Sequence, residues 1–327
     1  MKVKNLEKLR LLFFGMGSIG KKHINIIREN YNCKIYAYRS KNDKETKDLN
    51  IKEFTNLEDA FSIKPDIAFI TNPTFLHIPT ALQCVKRNID LFIEKPISHS
   101  IENVIELESE LKKRNLFTYI AYNLRFHPVI KELKNIIFAK KENPIFFRIM
   151  CSSYLPNWRP NQDYTKSYSA KNELGGGVLL DLSHEFDYIT YLFGDIKKIT
   201  GYCDKISNLK IDSEDIFNGQ LELKSNLKGN LHLNYFSIYN ERKLQIYYNN
   251  EYFEGDLIKN YIKKIAKNGK EKIFNYQCKI NDSYKSQMQY FFEQYIKRNY
   301  NISNNFSEAL KTFKKIMEFK NTCRDVR

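Results

Sequence analysis

The chain has 327 residues, 42% of them hydrophobic, and 53 Lys and Arg against 38 Asp and Glu give it a net charge of +15. That length accommodates two domains with separate cores, and the composition is that of a folded globular protein rather than a disordered or fibrous one. The basic residues are spread along the chain and interleaved with acids, which argues against a nucleic-acid partner, and no stretch approaches the ~18 apolar residues of a membrane span.

In chain order, Leu11–Gly15 reads as a strand, Ser18–Asn30 as a helix and Lys34–Arg39 as a second strand, with Ser40–Asn50 a solvated loop or frayed helix. Asp66–Thr71 and Leu91–Glu94 are short apolar runs, followed by helical patterns at Leu76–Asn88 and Ile101–Arg114; Phe117–Tyr122 is a further strand. Continuous apolar runs alternating with helices predict a doubly wound α/β domain with a parallel sheet covered on both faces, over residues 1–122. Beyond it, over 123–327, the pattern changes. A helix at Pro128–Phe138 and a strand at Ile145–Ser153 lead into a loop rich in Tyr, Trp and Arg, Tyr154–Gly177, and a helix at Val178–Phe193. Strand-like runs at Ile196–Cys203, Glu214–Leu223, Gly229–Tyr239 and Lys243–Tyr248 then follow without intervening helices, which predicts an α+β domain with a largely antiparallel sheet. Helices at Ser283–Arg298 and Phe306–Asn321 close the chain.

Six cysteines, at 33, 84, 151, 203, 278 and 323, form no CxxC pair and no Cys/His cluster at metal-ligand spacing. Reduced thiols, a cytoplasmic location and no metal centre are the expectation. Lys2, Lys4, Lys8 and Arg10 before LLFF resemble a secretion signal only superficially, because glycines interrupt the apolar run.

Three segments carry chemistry. In the first, LLFFGMGSIGKKH, Gly15 permits a tight turn out of the strand. Gly17 lets the backbone approach a pyrophosphate, and Gly20 lets the helix pack closely. Gly15, Gly17, Ser18, Ile19 and Gly20 are therefore candidate dinucleotide contacts, with the pyrophosphate at the helix N-terminus. At the end of the second strand, where an acid would bind the ribose 2′-OH of NAD, stand Arg39 and Ser40. A guanidinium and a hydroxyl suit a 2′-phosphate, so NADP is favoured over NAD, although Arg39 stacked on adenine or simply solvated is an alternative.

The second segment is Glu94–Lys95–Pro96 at the C-terminal end of a strand, the edge where open parallel sheets bind ligands. Lys95 there can donate to a substrate oxygen; the bland reading is a surface pair of Glu94 with Lys95. The third is GGGVLLDLSHEFD, residues 175–187, in which Asp181 and His184 share one face of a helix at i, i+3 and form a candidate acid–base pair. Its glycines would admit a ligand to the backbone, while Glu185 and Asp187 read as solvated-face residues or caps. In the aromatic loop, Trp158, Tyr164 and Tyr168 offer flat surfaces for a sugar or base, and Arg125 and Arg159 could grip a phosphate or carboxylate. The same loop reads equally as packed core or an oligomer interface.

These motifs, in this order, resemble the glucose–fructose oxidoreductase / inositol dehydrogenase / rhizopine catabolism (Gfo/Idh/MocA) family. The resemblance is carried by GMGSIGKKH with His23, by Thr71–Asn72–Pro73–Thr74–Phe75–Leu76–His77, by Glu94–Lys95–Pro96 and by the GGG…D…H segment. It implies a Rossmann domain followed by an open-faced sheet domain, with homo-dimers or homo-tetramers formed through that sheet. It also implies a nicotinamide cofactor (NADP or NAD) contacted by Asn72, Pro73, His77, Glu94 and Lys95, and a sugar, polyol or nucleotide-linked sugar as substrate. Lys95 and His184 would be the catalytic pair, Asp181 an orienting group or substrate contact, and Asn123 a substrate contact. The common family form D-x-G-x-H is replaced here by DLSH, so His184 keeps the register and Asp181 is displaced. DLSHEFDY together with Asn123–Leu124–Arg125–Phe126–His127–Pro128 and the Trp158–Arg159–Pro160 loop resembles a subgroup associated with surface-glycan sugar assembly. The expected function is hydride transfer between nicotinamide and a hydroxyl or carbonyl of a sugar, sugar phosphate or nucleotide sugar. A non-catalytic dinucleotide-binding regulator, or a dehydratase or epimerase that recycles its bound cofactor, are the alternatives.

Overall fold

A computed structural model describes residues 4–39 and 49–324; Ser40 and most of the predicted loop after it lie outside the described residues. The chain forms two compact units, one built from the residues up to Ala121 with Tyr284–Ala309, the other from Tyr122–Ser283 with the chain from Leu310 onward.

In the first unit, β1 (Lys4–Phe14), α1 (Ser18–Asn30), β2 (Tyr31–Tyr38), β3 (Lys52–Phe54), α2 (Leu57–Ser62), β4 (Ile67–Ile70), α3 (His77–Val85), β5 (Asp90–Ile93), α4 (Val104–Arg114) and β6 (Thr118–Ile120) follow in order. The strands form one six-stranded sheet, β3-β2-β1-β4-β5-β6, in which every pair is parallel. This is the doubly wound order with its switch point beside β1. Sequence patterning missed β3 and α2, which are too short for a periodicity. Their local signal is Asn56, whose side chain caps α2 by accepting from the amides of Glu58 and Asp59.

Register explains why the core forms here. Phe13 pairs with Phe69, Phe69 with Phe92 and Phe92 with Tyr119, so neighbouring strands set four rings in a row. Their centroids are 4.5, 4.7 and 5.4 Å apart, and all three contacts are stacked. Phe291 of α8 (Asp282–Ile296) stands edge-on to Phe69, Phe92 and Tyr119 at 5.7, 5.1 and 5.6 Å. Such ring contacts add about 0.5–1.5 kcal/mol each beyond burial. They bring a helix from late in the chain onto the first sheet.

The second unit contains α5 (Pro128–Ala139), β7 (Phe146–Tyr154), α6 (Val178–Asp181), α7 (Ser183–Phe193), β8 (Ile196–Asp204), β9 (Ile216–Leu223), β10 (Lys228–Asn234), β11 (Phe236–Tyr247), β12 (Glu251–Asp256), β13 (Tyr261–Ala266) and β14 (Glu271–Asn275); most of α9 (Phe306–Arg324) packs with it. The eight strands are ordered β14-β13-β12-β11-β7-β10-β9-β8, and only the β7–β10 pair is parallel. One face buries Phe147 against Phe193 and Phe217 against Phe186 and Phe319. By alternation the other face carries half-exposed Met150, His232, Gln245, Tyr247, Tyr252, Glu254 and Tyr261. Glu254 there accepts from Tyr261, Tyr252 and Gln245 at 2.7, 3.0 and 3.1 Å. The predicted helix Val178–Phe193 is in fact two, broken at Leu182 (φ −94°, ψ 30°). The predicted strand Gly229–Tyr239 is likewise broken at Tyr235, between β10 and β11. Sequence patterning also missed β12–β14, whose polar residues on the half-exposed face mask the strand signal. Among the described residues no helix is long and apolar enough to cross a membrane.

Candidate active site

The glycine turn is shaped by what surrounds each Cα. Gly15 has φ +99°, and a Cβ there would lie 2.6 Å from the amide nitrogen of Asn72. A Cβ on Gly20 would meet the Gly15 carbonyl at 2.5 Å, whereas one on Gly17 would meet nothing within 4 Å. The backbone is thus tight on the protein side at Gly15 and Gly20 and open at Gly17. Gly17 is also the N-cap of α1, without a side-chain cap and with no acid in the first turn. Ser18 and Ile19 open that helix. Free N–H groups and a positive dipole end in an open cradle fit a dinucleotide pyrophosphate.

Two loops are fastened behind this turn. Thr71 Oγ1 donates to the Gly15 carbonyl at 2.7 Å, and Asn72 Nδ2 donates to Thr80 Oγ1 at 2.9 Å. His77 is buried, with Nε2 3.0 Å from the Asn72 carbonyl and Nδ1 2.8 Å from that of Pro96. Burial pushes its pKa down, although the two carbonyls oppose the shift. His77 therefore ties the loop of Asn72 and Pro73 to that of Lys95. Glu94, also buried, places Oε1 2.6 Å from His23 Nε2 and accepts the Lys95 amide on Oε2 at 3.2 Å. The surface pair of Glu94 with Lys95 considered above is therefore not what Glu94 makes; its carboxylate is spent inside on α1. Lys95 itself is half-buried at the end of β5.

At the end of β2, Arg39 donates its amide to the Phe54 carbonyl and holds Nη1 3.4 Å from Glu53 Oε2. Side-chain exposure is 14% for Arg39 and 17% for Glu53. A simply solvated Arg39 is thereby excluded.

In the second unit, His184 lies in the first turn of α7, 9% exposed, with the Tyr122 ring edge-on at 5.6 Å. Because the helix breaks at Leu182, Asp181 and His184 do not sit on one continuous helical face. Asp181 instead accepts from Tyr235 Oη at 2.7 Å, with the Tyr168 phenol close enough to feel its charge. Burial, and secondly the Asp181 charge, push both phenols well above their ordinary range, so they stay protonated donors. Trp158 stands edge-on to Tyr235 at 5.2 Å, its Nε1 donating to Ser153 Oγ at 2.9 Å, and Arg159 lies over the Tyr168 ring at 5.7 Å. Trp158, Arg159, Tyr168 and Asp181 thus converge, with Tyr235 a member that sequence reading hid inside a continuous strand.

The remaining candidates lie elsewhere. Tyr164 Oη accepts from the Lys210 amide at 3.2 Å, and buried Asn123 donates to Ser283 Oγ at 2.8 Å. Arg125, 3% exposed, makes a two-pronged pair with Asp187 at 2.8 and 2.6 Å and lies over the Tyr191 ring. Glu185 is fully buried and accepts from Arg242 at 2.8 Å. Glu185 and Asp187 are therefore core ion-pair members, not solvated-face residues, because α7 is enclosed on every side. The glycine triplet also differs from expectation: a Cβ on Gly176 would strike the Tyr168 carbonyl at 2.4 Å, and one on Gly177 the Glu214 carboxylate at 2.3 Å. What approaches that backbone is the protein itself, with Lys320 closing the cluster on Glu214 at 2.9 Å. Among the described residues no group of three or more His, Cys, Asp and Glu is placed to hold a metal ion.

A family model described as the oxidoreductase family with an NAD-binding Rossmann fold matches residues 9–122, and one described as the GFO/IDH/MocA C-terminal domain matches residues 147–254. The myo-inositol 2-dehydrogenase of Thermotoga maritima is 25% identical over 201 residues, 57% of this chain and 55% of that protein. The chain thus spans about half the length of the curated relatives it matches. Among solved structures, UDP-N-acetylglucosamine 3-dehydrogenase from Acidithiobacillus ferrooxidans superposes with a TM-score of 0.79 at 15% identity, covering 96% of this chain and 97% of that one. Levoglucosan dehydrogenase, in complex with NADH, superposes at 0.85 and 13% identity, covering 98% of each chain. At these identities the superpositions establish a shared fold.

Proposed function

Because the chain belongs to the GFO/IDH/MocA oxidoreductase family, we propose that it is a nicotinamide-dependent oxidoreductase acting on a hydroxyl or carbonyl of a sugar-type small molecule. The observation that carries this reading is the open backbone at Gly17 on an uncapped helix N-terminus, with Gly15 and Gly20 packed tightly around it. Gly15, Gly17, Ser18, Ile19 and Gly20 hold the pyrophosphate, Arg39 flanks the adenosine ribose, and Asn72 and Pro73 line the nicotinamide side. His77 and Glu94 act one step behind, fixing the loops. When bound, the nicotinamide accepts or supplies the hydride.

The chain's own residues manage the proton and the charge. Lys95 hydrogen-bonds the reacting oxygen and stabilises its alkoxide character, and His184 takes or returns its proton. Asp181, held by Tyr235, serves as the orienting group or substrate contact. Trp158 supplies an apolar platform of the kind sugars stack on, with Arg159 beside it for an anionic substituent. Sugar, sugar phosphate and nucleotide-sugar substrates all fit this chemistry; the relatives named above are dehydrogenases of a polyol, a nucleotide sugar and an anhydrosugar. The half-exposed face of the eight-stranded sheet serves in this reading as the contact between copies of the chain. The six free cysteines suit a reducing, cytoplasmic environment.

Titration of the protein with NADH and NADPH, followed by nicotinamide fluorescence, tests the cofactor. A screen of polyols, sugar phosphates and nucleotide sugars, followed by absorbance of the reduced cofactor, tests the substrate class. Binding with turnover on at least one of them is the expected result; failure to bind either dinucleotide sinks the reading.

A further inference from the structure

We infer that Glu53 is the residue that sets cofactor choice, making the site select NAD(H) over NADP(H). The inference rests on the dinucleotide reading above and reverses the preference expected from Arg39 taken alone.

The end of β2 lacks the acid that ordinarily meets the adenosine ribose, and Arg39 in its place would attract a 2′-phosphate. Parallel pairing of β2 with β3 changes the charge at that point. Ala37 is the register partner of Glu53 and Tyr38 that of Phe54, so the Glu53 side chain comes up beside Arg39. Arg39 Nη1 lies 3.4 Å from Glu53 Oε2, and both side chains are largely withdrawn from water. The other oxygen, Oε1, is buried and has no hydrogen-bond partner, so no further donor offsets the charge that Glu53 sets beside Arg39. A guanidinium already matched by a carboxylate offers little net attraction to a dianionic phosphate. A 2′-phosphate entering here would stand near the Glu53 charge in a region of reduced dielectric, where like charges repel strongly. A neutral ribose 2′-OH meets no such penalty.

The experiment measures dissociation constants for NADH and NADPH by nicotinamide fluorescence on the full chain, with no substrate present. Wild-type protein is expected to bind NADH more tightly. Glu53→Gln, which keeps shape and removes charge, should tighten NADPH by about tenfold relative to NADH, the size of one charge-assisted hydrogen bond. Arg39→Gln leaves the Glu53 charge uncompensated and should widen the discrimination against NADPH. A wild-type preference for NADPH, an unchanged ratio in Glu53→Gln, or a narrowed ratio in Arg39→Gln overturns the inference. Loss of binding to both dinucleotides in the wild type would instead overturn the dinucleotide reading itself.

Discussion

His23 Nε2 and Glu94 Oε1 lie 2.6 Å apart, with the histidine fully buried and the glutamate nearly so. The contact joins the helix behind the glycine turn to the loop that carries Lys95, whose amide is bound by the other oxygen of the same carboxylate. His23 is further enclosed by the rings of Phe92 and Tyr284 at 5.1 and 5.9 Å. Replacing His23 with Leu strands a buried carboxylate and should lower stability by about 3 kcal/mol. Urea unfolding of His23→Leu, Glu94→Gln and the double variant checks this. The double variant should recover part of the loss; strictly additive effects would mean the two residues do not act together.

Lys95 and its supporting carboxylate should separate in kinetics. Lys95→Met is expected to lower kcat by about a hundredfold or more, as when a preorganised donor to a developing oxyanion is removed. NADH affinity should change by less than about threefold, since one modest hydrogen bond is at most involved. Unchanged turnover would remove Lys95 from the chemistry.

Two glycines two positions apart in one motif should fail in different ways. Gly15→Ala places a methyl 2.6 Å from the Asn72 nitrogen at a φ of +99°, so the fold should lose about 1–3 kcal/mol. Gly17 has φ −70° and open space around it, so Gly17→Ala should fold normally while weakening dinucleotide binding. Thermal unfolding and fluorescence titration of the two variants read the contrast; equal loss of stability in both would contradict it.

The carboxylate of Asp181 is bound by the Tyr235 phenol, remote in sequence, and acts by its charge on that of Tyr168. Tyr235→Phe removes a hydrogen bond to a buried acid and should cost about 1.5–3 kcal/mol. Tyr168→Phe should cost less in a half-buried position. A double-mutant cycle measured by denaturant unfolding should give a coupling of at least about 0.5 kcal/mol, because both phenols feel the charge of one carboxylate.

Three histidines set an acid limit on stability. Burial pushes His77, His127 and His232 below the ordinary imidazole range; neighbouring Arg242 and Arg148 also lower His127 and His232 respectively. Between the lowered folded value and the unfolded value of 6.5 the unfolded chain binds more protons. Their contribution is therefore fully present above pH ~6.5 and is lost as pH falls through the folded values. Urea unfolding at about pH 7.5, 6.5 and 5.5 should show a falling midpoint, and His77→Asn should flatten that fall. A midpoint that rises on acidification would refute the assignment.

Much of the first sheet was legible because the rules behind it are local. Apolar runs such as Ile67–Ile70 have no polar face and can sit only in a doubly covered strand, and a turn that needs φ +99° selects glycine whatever lies around it. The helix Ser18–Asn30 was read to its end residues for the same reason. Partners chosen by topology were not legible. Asp181 was read as the neighbour of His184 from helical spacing, yet a break at one residue took it to Tyr235, 54 positions away. Glu185 and Asp187 were read as solvated-face residues or caps because nothing in their segment announces Arg242 and Arg125.

What the amino-acid order determined by itself was the alternation of strand and helix, the glycine turn and the placement of Lys95 at a strand end, since steric and burial preferences act within a few residues. Which charge stands beside Arg39, which phenol holds Asp181 and which late helix covers the first sheet were decided only by tertiary structure. Those contacts join segments whose separation along the chain carries no energetic signal until strand register and packing bring them together.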